Sequence, residues 1–324
     1  MFEKIDATSR QNIKIALVDP DQQLRSNIRQ SLFYNGFKNI EEYGDIKKFR
    51  ENLDKFVPDL LMIDFHTPEG NACDLVRSLR YNESGQNPFL SVIITVWQNR
   101  VESLDNIINS GADFIILKPM APQAVFERME ALIDRRKPFI CTSAYLGPDR
   151  RKDPRAGEDI PTFDVPNTLK IKSTGKNVDL SVIQKAIDQT MGQINEEMIN
   201  RQAFQMVFQM QRFTTLIKNG EREAQFALKD LKRALVEMMR RIDSESHQQT
   251  VDLCLNLNTT LDTIAAAYPK VNARDLELVK TLTLGIYVGL KNTEGGSQDV
   301  LEKVNSAIAN FERKRQLAAA AGKQ

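Results

Sequence analysis

The sequence has few of the residues that build disulfide frameworks or transition-metal sites. Its 324 residues include three cysteines, odd in number and far apart, and two histidines. Such cysteines do not form the framework of a small secreted domain, and their spacing is not that of a zinc site. The sequence therefore favours a reducing compartment and excludes a disulfide-rich scaffold.

Long apolar runs and an apolar leader are also missing. No stretch approaches the roughly 18 apolar residues that a membrane helix needs, and the opening MFEKIDATSRQ is polar throughout. The formal net charge is +1, so neither sign of charge dominates and only local patches could attract nucleic acid. We expect a cytoplasmic protein.

Residues 1–135 alternate between apolar runs and amphipathic stretches. Five strands that alternate with five helices predict a parallel sheet with right-handed crossovers, an α/β domain. In such a sheet a ligand site lies at the carboxyl ends of the central strands. The runs predicted as strands are 13–18, 39–43, 59–63, 91–96 and 113–117.

The composition changes at Arg135. Residues 136–178 contain five prolines and many basic residues without a sustained period, so they predict an irregular linker. Residues 179–324 show helical spacing and predict an all-α bundle that serves as an output or dimerisation domain. The helices expected there cover 199–217, 221–243, 248–267, 273–291 and 297–316.

The first two of these helices carry regular apolar stripes joined by a short turn. The stripe of the first includes Ala203, Met206 and Met210, and that of the second includes Leu231 and Leu235. Two alternatives fit this pattern: a bundle closed within one chain, or a hairpin shared with a second subunit. We expect a homodimer formed through the helical domain.

Polar residues end four of the predicted strands. Asp19 and Asp64 each follow an apolar run, Thr95 lies in the last residues of the fourth strand, and Lys118 follows the fifth. Because the carboxyl ends of parallel strands converge, two carboxylates, a hydroxyl and an ammonium should meet in one pocket. This set suits phosphoryl transfer, in which one carboxylate attacks phosphorus and a divalent cation offsets the charge.

Three motifs resemble those of the receiver domains of two-component response regulators, which are CheY-like and flavodoxin-like in fold. They are ALVDPD (16–21), LMIDFHTPEG (61–70) and GADFIILKP (111–119). The resemblance covers residues 12–135. It implies that Asp64 is the phospho-accepting aspartate, that Lys118 is the family's lysine, and that a cis peptide precedes Pro119.

The resemblance also implies a Mg²⁺ site. Asp19, Asp64 and the backbone carbonyl of His66 would be its ligands. Receivers usually carry two adjacent acids after the first strand, but here Pro20 takes the second place and the next acid is Asp21. The sequence leaves open whether Asp21 replaces the missing acid.

The family's switch residues differ as well. Spacing from Lys118 without a gap places Val96 at the position of the switch hydroxyl, and a one-residue insertion places Thr95 there. The position of the switch aromatic holds Ile115. We therefore expect the phospho-acceptor chemistry to be kept and the usual conformational readout to be altered.

The sequence favours a response regulator in a phosphorelay. A sensor histidine kinase or a phosphotransfer protein would phosphorylate Asp64, and the helical domain would act on a downstream protein through protein contacts. It is not expected to be an enzyme with an external substrate. The alternatives are a phosphorylation-independent scaffold with a degenerate receiver, and a DNA-binding regulator.

The DNA alternative depends on one basic stretch. AYLGPDRRKDPR (144–155) carries Arg150, Arg151, Lys152 and Arg155, but aspartates interrupt it. We expect salt-sensitive contacts from these residues and no sequence-specific recognition of DNA. The residues after 135 resemble no family that we recognise.

Overall fold

The fold was analysed in a computed structural model. The structure describes residues 7–98, 104–151, 160–175, 179–243 and 247–291. It divides the chain into two compact units, Met1–Ile194 and Asn195–Gln324.

The first unit contains a five-stranded sheet in the order β2-β1-β3-β4-β5, and all of its pairs are parallel. The predicted sheet is therefore confirmed. Its strands are β1 (Lys14–Val18), β2 (Asn39–Tyr43), β3 (Leu60–Asp64), β4 (Ser91–Trp97) and β5 (Phe114–Lys118). The helices around it are α1 (Ala7–Arg10), α2 (Gln22–Tyr34), α3 (Ile46–Asn52), α4 (Ala72–Arg80), α5 (Leu104–Ile108) and α6 (Pro122–Arg135).

Each face of the sheet is covered by helices. Ile28 of α2 and Met129 of α6 pack into one buried cluster, and Phe49 of α3 and Val76 of α4 pack into the cluster on the other face. Because both faces are buried, the central strands are apolar almost throughout, which is why short apolar runs predicted them. The polar residues that end these strands are thereby held at one edge of the sheet.

The segment 136–178, predicted as an irregular linker, forms regular structure in its described residues. Three short antiparallel strands and a helix occur there, and Phe139 and Leu169 are fully buried. These strands have only two or three residues, too few for a period to be visible in the sequence. They are β6 (Phe139–Cys141), β7 (Leu146–Pro148) and β8 (Thr162–Phe163), followed by α7 (Thr168–Ser173).

Side-chain contacts attach this segment to the five-stranded sheet and its helices. Asn167 donates from Nδ2 to the carbonyl of Leu132 at 2.7 Å, and Lys172 Nζ lies 2.8 Å from Asp59 Oδ2. The segment is thus an extension of the first unit. The domain limits at 135 and 178 stay predictions, as does the helix at 297–316, which lies outside the described residues.

All regular secondary structure in the described residues of the second unit is helical, as expected. Ala203, Met206 and Met210 pack into one core with Leu231 and Leu235, and residues of the two later helices belong to the same core. The apolar stripes are therefore buried within one chain, which favours the closed bundle over a shared hairpin. The helices are α8 (Leu180–Lys218), which begins in the first unit, α9 (Ala224–Met239), α10 (Gln248–Ala267) and α11 (Ala273–Lys291).

Candidate functional site

The carboxyl edge of the sheet brings the predicted residues together. Asp19 follows β1, Asp64 ends β3 beside Thr95 of β4, and Lys118 ends β5 beside Trp97. Asp64 and Lys118 are each 2% exposed. Ionisable side chains are seldom buried this deeply unless they are paired, so their contacts decide what the site can do.

Lys118 links the two carboxylates. Its Nζ donates to Asp19 Oδ2 at 2.5 Å and to Asp64 Oδ2. The other oxygens are held by backbone amides: Asp64 Oδ1 accepts from His66 N at 2.6 Å, and Asp19 Oδ1 accepts from Asp21 N at 2.9 Å. Two carboxylates and one ammonium leave a net charge of −1 at a buried edge, an arrangement that suits an added cation.

Burial raises the pKa of Asp19 above its usual value, and the hydrogen bond from Lys118 opposes that shift. Desolvation therefore destabilises the charged form of Asp19, although Lys118 and the Asp21 amide donate hydrogen bonds to it. Arg25, which the sequence analysis missed, donates to the backbone carbonyl of Asp19. It lies on α2, and only the fold brings it to this edge.

Strand geometry settles which of Thr95 and Val96 faces the site. Side chains two residues apart in a strand lie on the same face of the sheet. Ile93 packs into the same buried cluster as Met62, two residues before Asp64, so Thr95 shares the face of Asp64. Val96 packs into the cluster on the opposite face.

The residue at the predicted aromatic position, Ile115, packs with Val96 away from the acids. Trp97, which the sequence analysis did not single out, is 44% exposed, and its ring centroid lies 5.5 Å from Lys118 Nζ. It is the only tryptophan of the chain, so its fluorescence can report on this edge. The Lys118–Pro119 peptide bond is cis, as the family resemblance implies.

The donors fit a small hard cation. Mg²⁺ is usually held by one or two carboxylates with several waters, and the two acids and the His66 carbonyl supply such oxygens. Among the described residues no group of three or more Asp, Glu, His or Cys side chains forms a metal cage. Asp21 is exposed, and its Oδ1 caps α2 by accepting from Leu24 N at 3.0 Å. The Asp21 carboxylate therefore serves as the N-cap of α2.

Comparison with known proteins agrees with this geometry. Residues 15–130 match the response regulator receiver domain family. Response regulator MprA of Mycobacterium tuberculosis is 28% identical over 127 residues, which are 39% of this chain and 53% of the relative. The chain spans about half the length of the relatives it matches.

Solved structures are similar over the same part of the chain. Chemotaxis response regulator CheY4 of Vibrio cholerae is 19% identical and matches 36% of this chain and 96% of its own, with a TM-score of 0.33. RcsB of Salmonella enterica, solved bound to the promoter rprA in the presence of the phosphomimetic BeF3−, is 22% identical. The match covers 37% of this chain and 67% of RcsB, with a TM-score of 0.33.

Residues 15–130 therefore form the receiver domain of a response regulator of a two-component system. This class implies a kinase or a phosphotransfer protein as a partner, and its receivers typically bind Mg²⁺. The relatives do not support the expectation that DNA is an unlikely partner. No helix within the described ranges is long and apolar enough to cross a membrane, and the cytoplasmic location stays a prediction.

Proposed function

We propose that Asp64 accepts a phosphoryl group from a sensor histidine kinase or a phosphotransfer protein. The observation that carries the proposal is the contact of the Lys118 ammonium with both Asp64 and Asp19 at the buried carboxyl edge of the sheet. A fixed cation beside the nucleophile offsets the charge of the incoming phosphoryl oxygens. Incubation with acetyl phosphate and Mg²⁺ tests the proposal, because it should add one phosphoryl group, at Asp64.

The transfer balances with groups that the site, the donor and the solvent supply. One Asp64 carboxylate oxygen attacks phosphorus and forms an acyl phosphate, while the bond between phosphorus and the donor nitrogen of a phosphohistidine breaks. The leaving imidazole takes a proton from solvent. Thr95, on the face of Asp64, would donate its hydroxyl hydrogen to a phosphoryl oxygen, and Lys118 would stay paired with the new group.

Asp19, Asp64 and the carbonyl of His66 would hold Mg²⁺ at this edge. When bound, the ion supplies positive charge to the carboxylates and to the transferring phosphoryl oxygens. Asp64 Oδ1 is already oriented by the His66 amide, and Asp19 Oδ1 by that of Asp21, so both acids are positioned before any cation binds.

Restoring the second adjacent acid should strengthen Mg²⁺ binding. We expect Pro20→Asp to tighten the affinity on the order of tenfold, about 1.4 kcal/mol, because it adds a carboxylate beside Asp19. Asp21→Ala should leave the affinity within about twofold of the parent but destabilise the fold by about 1 kcal/mol through loss of the α2 cap. Titration of Mg²⁺ followed by Trp97 fluorescence measures the affinity, and urea unfolding measures the stability.

Asp21→Ala is also the control for the position of the second acid. The variant keeps the backbone amide that holds Asp19, so only the carboxylate is removed. Weakened Mg²⁺ binding in Asp21→Ala, with no gain in Pro20→Asp, would show that Asp21 is the second ligand.

We further propose that the helical unit is the output and acts through protein contacts, including contacts with a second copy of the chain. Its core is closed within one chain, so such contacts must use its surface. Phe226 of α9 is 64% exposed, and Leu255 of α10 and Leu278 of α11 are also exposed. Exposed apolar side chains of this size are the residues that an interface would bury.

Sedimentation of the full chain tests this output. We expect a dimer that Phe226→Ser weakens, whereas Val182→Ser, an exposed change in the first unit, leaves it intact. Because Ile115 replaces the usual aromatic, phosphorylation should change dimerisation by only about 1–3 kcal/mol. A chain that stays monomeric until phosphorylated would place the interface in the receiver.

A further inference from the structure

A cavity with polar walls lies in the first unit, away from Asp19 and Asp64. Its volume is about 450 Å³, and it opens beside Asp113 and Phe114, at the amino end of β5. Lys118 is at the opposite end of that strand. The other lining residues are Ile115, Arg128, Ala131, Leu132, Arg135, Arg136, Lys137, Pro148 and Arg150.

The floor of this cavity holds an excess of positive charge. The Asp113 carboxylate accepts from Arg80 NH2 at 3.0 Å and from Arg136 Nε at 2.7 Å and also takes the amide hydrogen of Val92. Two guanidinium groups on one carboxylate leave a net charge of +1. Among the described residues, Asp113 is the one acid that lines the cavity, and these two guanidinium groups already neutralise it.

The walls add four more cations. None of Arg128, Arg135, Lys137 and Arg150 forms an ion pair with a residue in the described ranges. The nearby Asp149 is bound by Arg151 through two contacts of 2.9 Å, and its pKa is lowered chiefly by that arginine and only weakly by Lys137. Within the described ranges, an anion that enters the cavity would therefore meet no carboxylate that is free of an arginine partner.

Arg150 is partly buried where it lines the cavity. Its NH2 group donates to the carbonyl of Ala112, but its Nε is buried and has no hydrogen-bond partner. A buried donor without an acceptor costs about 1–3 kcal/mol. Because that nitrogen is not accessible to solvent, a bound anion would contact the other part of Arg150, which lines the cavity.

One side of the cavity is apolar. Leu132, Ala131 and Pro148 are buried there, and the Arg128 guanidinium lies 5.3 Å from the centroid of the Phe114 ring. Volumes of about 300–1,000 Å³ are typical of small-ligand sites, and such sites combine an apolar wall with a few placed polar groups. The cavity therefore has room for an organic group as well as for an anion.

We propose that this cavity binds an organic phosphate of the size of a nucleotide. Arginine recognises phosphate through paired N–H donors, and lysine adds a point charge, so the phosphates would lie against Arg135, Lys137 and Arg150. The ring system would lie on the apolar side near Leu132 and Phe114. This binding is independent of Asp64 and needs no Mg²⁺.

Calorimetric titration of the full chain in Mg²⁺-free buffer tests the site. ATP is the probe, with tripolyphosphate for the anion alone and adenosine for the ring alone. We expect ATP to bind more tightly than tripolyphosphate and adenosine not to bind. Arg135→Gln and Lys137→Gln should each weaken ATP binding by about tenfold, the loss expected for a charge-assisted hydrogen bond.

Lys55→Gln is the matched control, because Lys55 is an exposed cation of the same unit that lies outside the cavity. It should leave the affinity for ATP unchanged. Equal weakening by Lys55→Gln, tripolyphosphate binding as tight as that of ATP, or no ATP binding at millimolar concentration would each overturn the assignment. Displacement of ATP by a single-stranded oligonucleotide of higher affinity would overturn it too, and would make this surface a nucleic-acid contact.

Discussion

Asp64→Asn should reduce phosphoryl uptake from acetyl phosphate to the background of a sample that contains no donor. The amide is a poor nucleophile, and it carries no charge to hold Mg²⁺ or to pair with Lys118. The change is nearly isosteric, so the hydrogen bond from His66 N to the oxygen at this position can persist. Intact-mass measurement after incubation with the donor and Mg²⁺ gives the phosphorylated fraction.

Asp74→Asn serves as the control for this experiment. Asp74 is an exposed carboxylate at the start of α4, and within the described residues it pairs with Arg77, at 3.0 Å, and not with the acids of the site. The variant should be phosphorylated as fully as the parent chain. Uptake that persists in Asp64→Asn would mean that another residue is the acceptor.

Arg80→Ala should destabilise the first unit by about 3–5 kcal/mol, the range for breaking a buried ion pair by removing one partner. Arg80 is 0% exposed and donates to the carbonyls of Gly111, Pro88 and Leu90 as well as to Asp113. Burial lowers its pKa to about 10 because it penalises the charged form, and the charge of Asp113 opposes that shift. Urea unfolding measures the loss.

The control for this prediction lies on the same helix. Arg77 is one turn away, 38% exposed and paired with Asp74. Exposed pairs are worth about 0–1 kcal/mol, so Arg77→Ala should have an effect within that range. If the two variants proved equally stable, the buried arginine would not be the residue that joins α4 to the β5 edge.

The strands and the position of Asp64 at a strand end could be predicted from the sequence because both depend on local patterns. A parallel sheet buried on both faces is made of apolar runs, and Asp64 stands directly at the end of one of them. Asp19 and Lys118 also follow such runs, the family motifs implied their roles, and the structure brings all three residues together. Their roles as acceptor, metal ligand and phosphate partner stay predictions until the chemistry is measured.

Other features depend on contacts between distant residues. The pairing of Arg80 with Asp113 joins positions 33 residues apart, and nothing in the local sequence of either residue signals it. The choice between Thr95 and Val96 needed the register of β4 against β3. The strands of the segment 136–178 are stabilised by packing of Phe139 against the ring of Phe89, which no periodicity shows.

The acid site and the cavity beside β5 are expected to act independently of each other. The acids are at the carboxyl end of the sheet, and the basic cavity is at the opposite end of β5. Loss of phosphorylation in Asp64→Asn should therefore leave ATP binding intact, and Arg135→Gln should leave phosphorylation intact.

Localisation of the phosphoryl group tests the central claim most directly. After incubation with acetyl phosphate and Mg²⁺, borohydride reduces an aspartyl phosphate to homoserine, and peptide mass spectrometry finds the changed residue. We predict homoserine at position 64 alone, and none in a sample without Mg²⁺ or without donor. Homoserine at another aspartate, or an unmodified residue 64 in a chain that has taken up phosphate, would contradict the account.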